Sequence, residues 1–412
     1  MFETTLKGIP ITKEMVKAAY RKVRKNQGSA GVDEESLEEF RTDELNNLYK
    51  LWNRMSSGSY FPKPVRSVAI PKAGGKKREL GIPTVSDRIA QQVVKDYLEP
   101  RLEMEFMRES YGYRPLKSAH DAIEAVRGHV KHYMWVLDMD IKRFFDEVDH
   151  ELLMKAVERH VPEGWVKVYI RRWLASPAQH SDGTLILKEG RGTPQGGVIS
   201  PLLANLFLHY VLDKWLNEYY PMLVFVRYAD DIIVHCRTED EAREVLHAIR
   251  IRLKECKLRL NEEKTKIVYC QDYRRPKRKD YAKKFDFLGF TFQPRSTKSK
   301  RGGRYLAYYP AISRKSESRI MQSWQQVDWH RRDLSLHDIA AEVNVQMRGI
   351  FQYYGKVNLI SLGRIAMHLG FRLAKWALKK YKRLKGHFSK AYRWIRTLKI
   401  SYPNLFYHWS FF

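Results

Sequence analysis

An α+β fold is predicted for this 412-residue chain by three features. Two pairs of β-rich runs are each joined by a tight turn, helical-period stretches lie around them, and a long basic, aromatic-rich region at the end reads as amphipathic helix. The length allows two or three domains with real cores. With 44% apolar and 13% aromatic residues, the composition is that of a globular protein rather than a disordered one.

The elements follow in order. Residues 12–57 read as mixed-charge helix broken by the Gly28–Gly31 turn. Val65–Pro71 and Lys77–Ile82 read as strands around an Ala73-Gly74-Gly75 turn, and Asp87–Leu98 as a helix. Met134–Met139 is a short apolar strand, and Asp149 is a good cap for the helix after it. Ser200-Pro201 opens another helix, with Ser as cap and Pro in the first turn; Leu202, Leu203, Leu206, Phe207, Tyr210 and Val211 then recur at helical spacing. Leu223–Val226 and Ile232–Cys236 form a second hairpin, with Arg-Tyr-Ala-Asp-Asp between them.

A formal net charge of +28 favours a polyanionic partner. No apolar run is long enough to span a bilayer: Val198–Leu212 is the most hydrophobic stretch, and Ser200, Pro201, Asn205 and His209 interrupt it. No secretory signal is expected in the opening residues. Cys236, Cys256 and Cys270 contain no CxxC pair, which fits a reducing compartment and offers no cysteine zinc site. The charge is concentrated late. Residues 343–412 hold no Asp or Glu but fourteen Lys and Arg, interleaved with Trp376, Tyr381, Tyr392, Trp394 and Trp409. Helices built this way would track a phosphate backbone, with most of the aromatics in a small core.

Two acidic foci are tied to expected strands. One is the run from Trp135 to Asp146, with Asp138 and Asp140; the other is Asp230-Asp231 at the second hairpin. Carboxylates from separate segments are what a two-metal phosphoryl transfer needs, since Mg²⁺ prefers hard oxygen ligands. In a strand Asp138 and Asp140 share a face, so spacing leaves the choice between them open. Adjacent aspartates in a turn also commonly do no more than favour the turn.

Eight motifs occur in order: Asn26-Gln-Gly28-Ser-Ala-Gly31-Val-Asp33; Pro64-Val-Arg66 with Ile70-Pro-Lys72; the stretch from Arg78 to Arg88; Tyr111-Gly-Tyr-Arg114; Asp140-Ile-Lys-Arg-Phe-Phe145-Asp146; the stretch from Gly192 to Asn205; Tyr228-Ala-Asp-Asp231; and Leu260–Lys266 with Phe287-Leu-Gly-Phe290. In this order they resemble the reverse transcriptases encoded by bacterial and organellar group II introns, also called maturases. Beyond residue 305, Arg348-Gly-Ile-Phe-Gln-Tyr-Tyr354 and the Lys380–His387 tail resemble the thumb, or maturase, domain of the same proteins.

The resemblance implies a right-hand polymerase: an N-terminal extension (1–60), fingers and palm with an antiparallel sheet plus helices (61–300), and an α-helical thumb with a basic tail (301–412). It implies Asp140, Asp230 and Asp231 as catalytic metal ligands, with the Ile141 carbonyl assisting, for two Mg²⁺ ions or, alternatively, Mn²⁺. Lys72, Arg78, Phe145, Gln195 and Lys264 would bind the dNTP, Phe145 as the ring that blocks a ribose 2′-OH. Arg348, Lys379, Lys380, Lys382 and Arg383 would bind nucleic acid. The implied activity is RNA-directed DNA synthesis on an RNA template from a DNA or RNA primer. Binding of a parent intron RNA to assist splicing would accompany it, in a bacterial cytoplasm or nucleoid or in an organelle, with no membrane. No DNA-binding extension or Cys/His endonuclease module is expected. The rival readings are a domesticated enzyme in phage defence, CRISPR adaptation or repair, a splicing factor with a vestigial polymerase, and an RNA-copying RNA polymerase, which Phe145 disfavours.

Overall fold

The computed structural model describes residues 8–71, 77–298, 302–327, 329 and 334–412, and for Lys77 and Arg78 the backbone alone. In chain order, helices α1 (Lys13–Asn26), α2 (Leu37–Thr42) and α3 (Glu44–Ser56) precede strands β1 (Val65–Pro71) and β2 (Lys77–Ile82). Then come α4 (Val85–Glu103), α5 (Ala119–His129), β3 (Trp135–Asp140), α6 (Phe144–Glu147), α7 (His150–His160) and α8 (Gly164–Ala175). Strands β4 (Ala178–Gln179) and β5 (Leu185–Ile186) lead to α9 (Ser200–Leu208), a π-helical turn His209–Asp213 and α10 (Lys214–Tyr219). The hairpin β6 (Val224–Tyr228) and β7 (Asp231–Cys236) is followed by α11 (Glu239–Glu255), β8 (Lys266–Tyr269), β9 (Phe285–Phe287), β10 (Phe290–Lys298) and β11 (Arg304–Ile312). Helices α12 (Arg314–Gln325), α13 (Leu336–Ile350), α14 (Lys356–Asn358), α15 (Gly363–Lys380) and α16 (Phe388–Ser401) complete the chain. No helix among the described residues is long and apolar enough to cross a membrane.

The chain divides into two compact units, Met1–Ala122 with Met139–Lys266, and Ile123–Asp138 with Ile267–Phe412. In the first, β1 pairs antiparallel with β2 from Arg66↔Ile82 to Pro71↔Lys77, and parallel with β4 at Val65↔Ala178. The Ala73-Gly74-Gly75 turn expected between β1 and β2 lies outside the described residues. Helix α4 starts two residues earlier than the apolar pattern suggests, because the Thr84 hydroxyl caps it by accepting from the Asp87 amide at 3.0 Å. The Asn26–Asp33 motif docks on this helix. Arg88 donates to the Gln27 and Ser29 carbonyls at 3.1 and 3.0 Å, and a Cβ on Gly31 would meet the Thr84 backbone at 2.7 Å. This motif therefore does structural work, holding α1 against α4.

Asp149 caps α7 as expected, accepting from the Leu152 amide at 3.0 Å. Ser200, by contrast, is the first residue of α9 and not its cap; Ile199 precedes it, with no side-chain capping bond. Pro201 supplies the start signal there, since its fixed φ suits the first turn.

In the second unit, β9, β10 and β11 form a three-stranded sheet, with β10 and β11 paired from Phe290↔Ile312 to Lys298↔Arg304. Arg304–Ile312 thus adds a strand to a stretch expected to be helical, because its aromatic and apolar residues suit a half-buried ladder. Two motifs interlock here. Leu288 and Gly289 make the β9–β10 turn with φ +48 and +81. The Tyr353 hydroxyl donates to the Leu288 carbonyl at 2.9 Å, and a Cβ on Gly289 would lie 2.9 Å from the Tyr354 hydroxyl. The tail aromatics pack mainly on one another: Trp376 stands edge-on to Tyr381, Tyr381 to Trp394, and Tyr392 lies against Phe371 and Phe388.

Candidate functional site

The chemistry-bearing residues of the first unit sit on a hairpin and its neighbour. β6 and β7 pair antiparallel from Val224↔His235 to Tyr228↔Asp231, leaving Ala229 and Asp230 as a two-residue turn. The sheet order is β6-β7-β3-β8, so the neighbour of β7 is β3, whose last residues are Met139 and Asp140. Asp231 is the first residue of β7 and is exposed, while Asp140 and Asp230 are half-buried.

Asp140 is met by Asn261 and Lys264. Its carboxylate accepts from the Asn261 amide at 3.0 Å and from the Lys264 ammonium at 3.1 and 3.0 Å, and its carbonyl accepts from the Asn261 backbone at 2.8 Å. Lys264, whose side chain is 60% exposed, is thus a cation already standing at the carboxylate. An ion pair this open to water contributes about 0–1 kcal/mol. Among the described residues, no three His, Cys, Asp or Glu side chains stand grouped to hold a metal ion. The donor chemistry nonetheless suits one: carboxylates on neighbouring strands are hard ligands, and the one at Asp140 already draws a cation.

The segments expected to meet a nucleotide are tied together by backbone bonds. Phe144 and Phe145 open the short helix α6 after Arg143, whose φ is +49. Phe144 is buried against Phe207, whereas Phe145 is half-exposed. The Phe145 carbonyl accepts from the Thr193 amide and the Val148 carbonyl from the Gly192 amide, both at 2.7 Å. Gln195 donates to Asp146 at 3.2 Å, and its carbonyl accepts from the Gly81 amide of β2 at 2.7 Å. Gly196 has φ +117, and a Cβ there would lie 2.4 Å from the Gly81 oxygen. Only glycine allows that approach. Phe145, Gln195 and the end of β2 are therefore brought together. Lys72 lies outside the described residues, and of Arg78 only the backbone, paired with Ile70, is described.

In the second unit Arg348, Lys379, Lys382 and Arg383 are exposed. Lys380 is half-buried, donating to the Leu334 carbonyl at 2.6 Å with its ammonium 5.7 Å from the Trp376 ring. Its charge is partly taken up within the fold.

Sequence reading passed over one cluster. Arg227, inside β6, is fully buried and pairs with Asp213, also fully buried. Losing one partner of such a pair costs about 3–5 kcal/mol. Arg227 also donates to Asn205 Oδ1 at 2.9 Å and to the Ala229 carbonyl at 3.1 Å. A charged residue directly after the apolar run Val224–Val226 was the available signal, since buried charges need partners.

The family "Reverse transcriptase (RNA-dependent DNA polymerase)" matches residues 70–292, and "Group II intron, maturase-specific domain" matches residues 320–394. The chain is 35% identical over 270 residues to Protein YkfC of Escherichia coli (strain K12), covering 55% of this chain and 68% of that protein. It is 33% identical over 203 residues to the group II intron-encoded protein LtrA of Lactococcus lactis subsp. cremoris, covering 48% of this chain. It is 30% identical over 210 residues to the putative COX1/OXI3 intron 1 protein of Saccharomyces cerevisiae, covering 50% of this chain. The aligned part spans 33% of the length of LtrA and 24% of the yeast protein. On these matches and the ordered motifs, the chain belongs to the family of group II intron reverse transcriptases and maturases.

Proposed function

We propose that this protein is an RNA-directed DNA polymerase that also binds the RNA of a group II intron and assists its splicing and mobility. The observation that carries the reading is the joining of four family motifs in one unit. Asp140 ends β3 beside the strand opened by Asp231, and five residues on, Phe145 is hydrogen-bonded to the Gly192–Gln195 segment, which in turn holds β2. Asp140, Asp230, Asp231 and the Ile141 carbonyl would hold Mg²⁺. When bound, the ions supply charge stabilisation for a phosphoryl displacement and activate the attacking 3′ oxygen.

The chain's own residues do the rest. Lys264, exposed and on a flexible stem, pairs with Asp140 and would be free to turn to the triphosphate were that carboxylate to hold Mg²⁺. Phe145, half-exposed while Phe144 anchors the helix in the core, presents a flat face to the sugar. Gln195 lies beside it, oriented by Asp146. Lys72 and Arg78 of the fingers hairpin bind the phosphates, and Arg348, Lys379, Lys382 and Arg383 bind the backbone of the nucleic acid.

The test is primer extension on an RNA template with dNTPs and Mg²⁺. Wild type is expected to extend the primer, and Asp230→Ala/Asp231→Ala to lose activity by about 10³-fold or more. Equal extension by both would remove the site assignment, and no extension by wild type would remove the polymerase reading.

A further inference from the structure

We infer that Arg227, Asp213 and Asn205 form a positioning device for the Ala229-Asp230 turn, setting the Asp230 and Asp231 carboxylates from beneath. The inference rests on the polymerase reading above and names residues that the reading does not use.

The turn does not hold itself. Two-residue hairpin turns with positive φ favour Gly, Asn or Asp at that position, yet this one has Ala229 at φ +55. A residue kept in a sparsely populated region persists only when its surroundings over-determine it. Here they do, from two sides. From below, the Arg227 guanidinium spends its donors on three partners: both oxygens of Asp213, the Asn205 oxygen, and the Ala229 carbonyl inside the turn. From the flank, Tyr111 donates its amide to the Arg227 carbonyl at 2.8 Å, and the Arg227 amide donates to the Glu109 carbonyl at 2.9 Å. Asn205 closes the ring by donating to the Gly112 carbonyl at 2.6 Å. Gly112 presses on the turn so closely that a Cβ there would lie 2.4 Å from the Ala229 nitrogen.

The helix that supplies Asp213 is locally remodelled to do so. Residues His209–Asp213 form a π-helical turn between α9 and α10, with the Lys214 amide reaching back to the His209 carbonyl. Such a turn shifts the residues after it around the helix axis, and π-turns are enriched at functional sites. Arg227, Asp213 and Asn205 are all at most 1% exposed.

A purely structural ion pair predicts something different. Buried pairs can often be exchanged for apolar residues of similar volume without loss of stability. A positioning pair loses, in that exchange, the donor to Ala229. The experiment is therefore Asp213→Leu/Arg227→Met in the full chain. The expected result is cooperative unfolding like that of the parent, kcat lowered on the order of 10²-fold, as for a reacting group displaced by about 1 Å, and KM for dNTP within about twofold. Mn²⁺ binding, titrated by electron paramagnetic resonance without substrate, is expected to weaken about 10-fold, as when a group that orients metal ligands is removed. A folded double variant with the parent's kcat and Mn²⁺ affinity would overturn the proposal. Should the double variant fail to fold, Asn205→Ala decides. It keeps the ion pair and removes the bonds to Arg227 and Gly112, so a fall in kcat and Mn²⁺ affinity at constant KM supports positioning, and no change overturns it. If wild type extends no primer, the polymerase reading has failed, and the Mn²⁺ titration alone decides the positioning claim.

Discussion

At the Asp230 turn a single guanidinium, wholly buried, serves a carboxylate, an amide and a turn carbonyl. Across residues 343–412, fourteen cations share a segment without one acid, and most of them face water. The two regions use charge for different ends. In the turn each donor has an assigned acceptor, so direction matters and the removal of one atom is felt. In the tail the cations are many and most are exposed, with Lys380 and Arg372 held by backbone carbonyls as exceptions, as suits a partner recognised by its phosphate density. One effect should be large and local, the other small and cumulative.

The sharpest way to test the first half is Gly112→Ala. The new methyl collides with backbone that cannot swing aside, so the turn must shift. Activity is expected to fall on the order of 10²-fold while primer–template binding stays unchanged, measured by single-turnover extension and by filter binding. Full activity in this variant would mean that the turn tolerates displacement and that the contrast with the tail is false.

The second half predicts a graded loss. Neutralising Lys379, Lys382 and Arg383 to Gln should reduce RNA affinity at low salt and lower the slope of log K against log[salt] by roughly 0.7–0.9 for each phosphate left without its cation. Lys380→Gln serves as the internal control. Its ammonium is bound to the Leu334 carbonyl, so it should lower thermal stability slightly and leave the slope nearly as it was. A slope unmoved by the triple change would place those charges away from the nucleic acid.

The smallest effect concerns pH. Burial pushes His408, which is 3% exposed, down to about 3 from its usual 6.5. The unfolded chain takes up the proton below about pH 6.5 and the folded chain does not, so stability is lost as pH falls from about 6.5 towards 3. His408→Phe should flatten that part of the acid unfolding curve, followed by tryptophan fluorescence, with no change in extension at neutral pH. An identical curve in the variant would refute this account of His408.

Much of this was legible in the residues. The β1 and β2 bounds, the Asp149 cap and the β6–β7 hairpin follow from period-two runs, capping side chains and turn chemistry, all of which act over a few residues. The Ser200 position was read one residue off because Ser and Pro both signal a helix start and only the backbone shows which one does so here. Within the site, the acidic foci were visible and the family resemblance named Lys264, but the pairing of Lys264 and Asn261 with Asp140 was not visible. Asn261 and Lys264 reach Asp140 from 121 and 124 residues away, and Asn205 reaches Gly112 from 93.

The sequence by itself determined the α+β class, the order of motifs, the two acidic foci and the acid-free basic tail, because periodicity, turn preference and composition are properties of neighbours along the chain. Only the tertiary structure decided that Asn261 and Lys264 meet Asp140, that Lys380 is tied into the fold through Leu334, and that Arg227 underlies the Asp230 turn. Those are choices among distant partners: burial settles the one at Arg227 by requiring a charge taken from water to find specific acceptors in the packed chain, whereas the exposed Lys264 meets Asp140 because the chain path brings the two segments together.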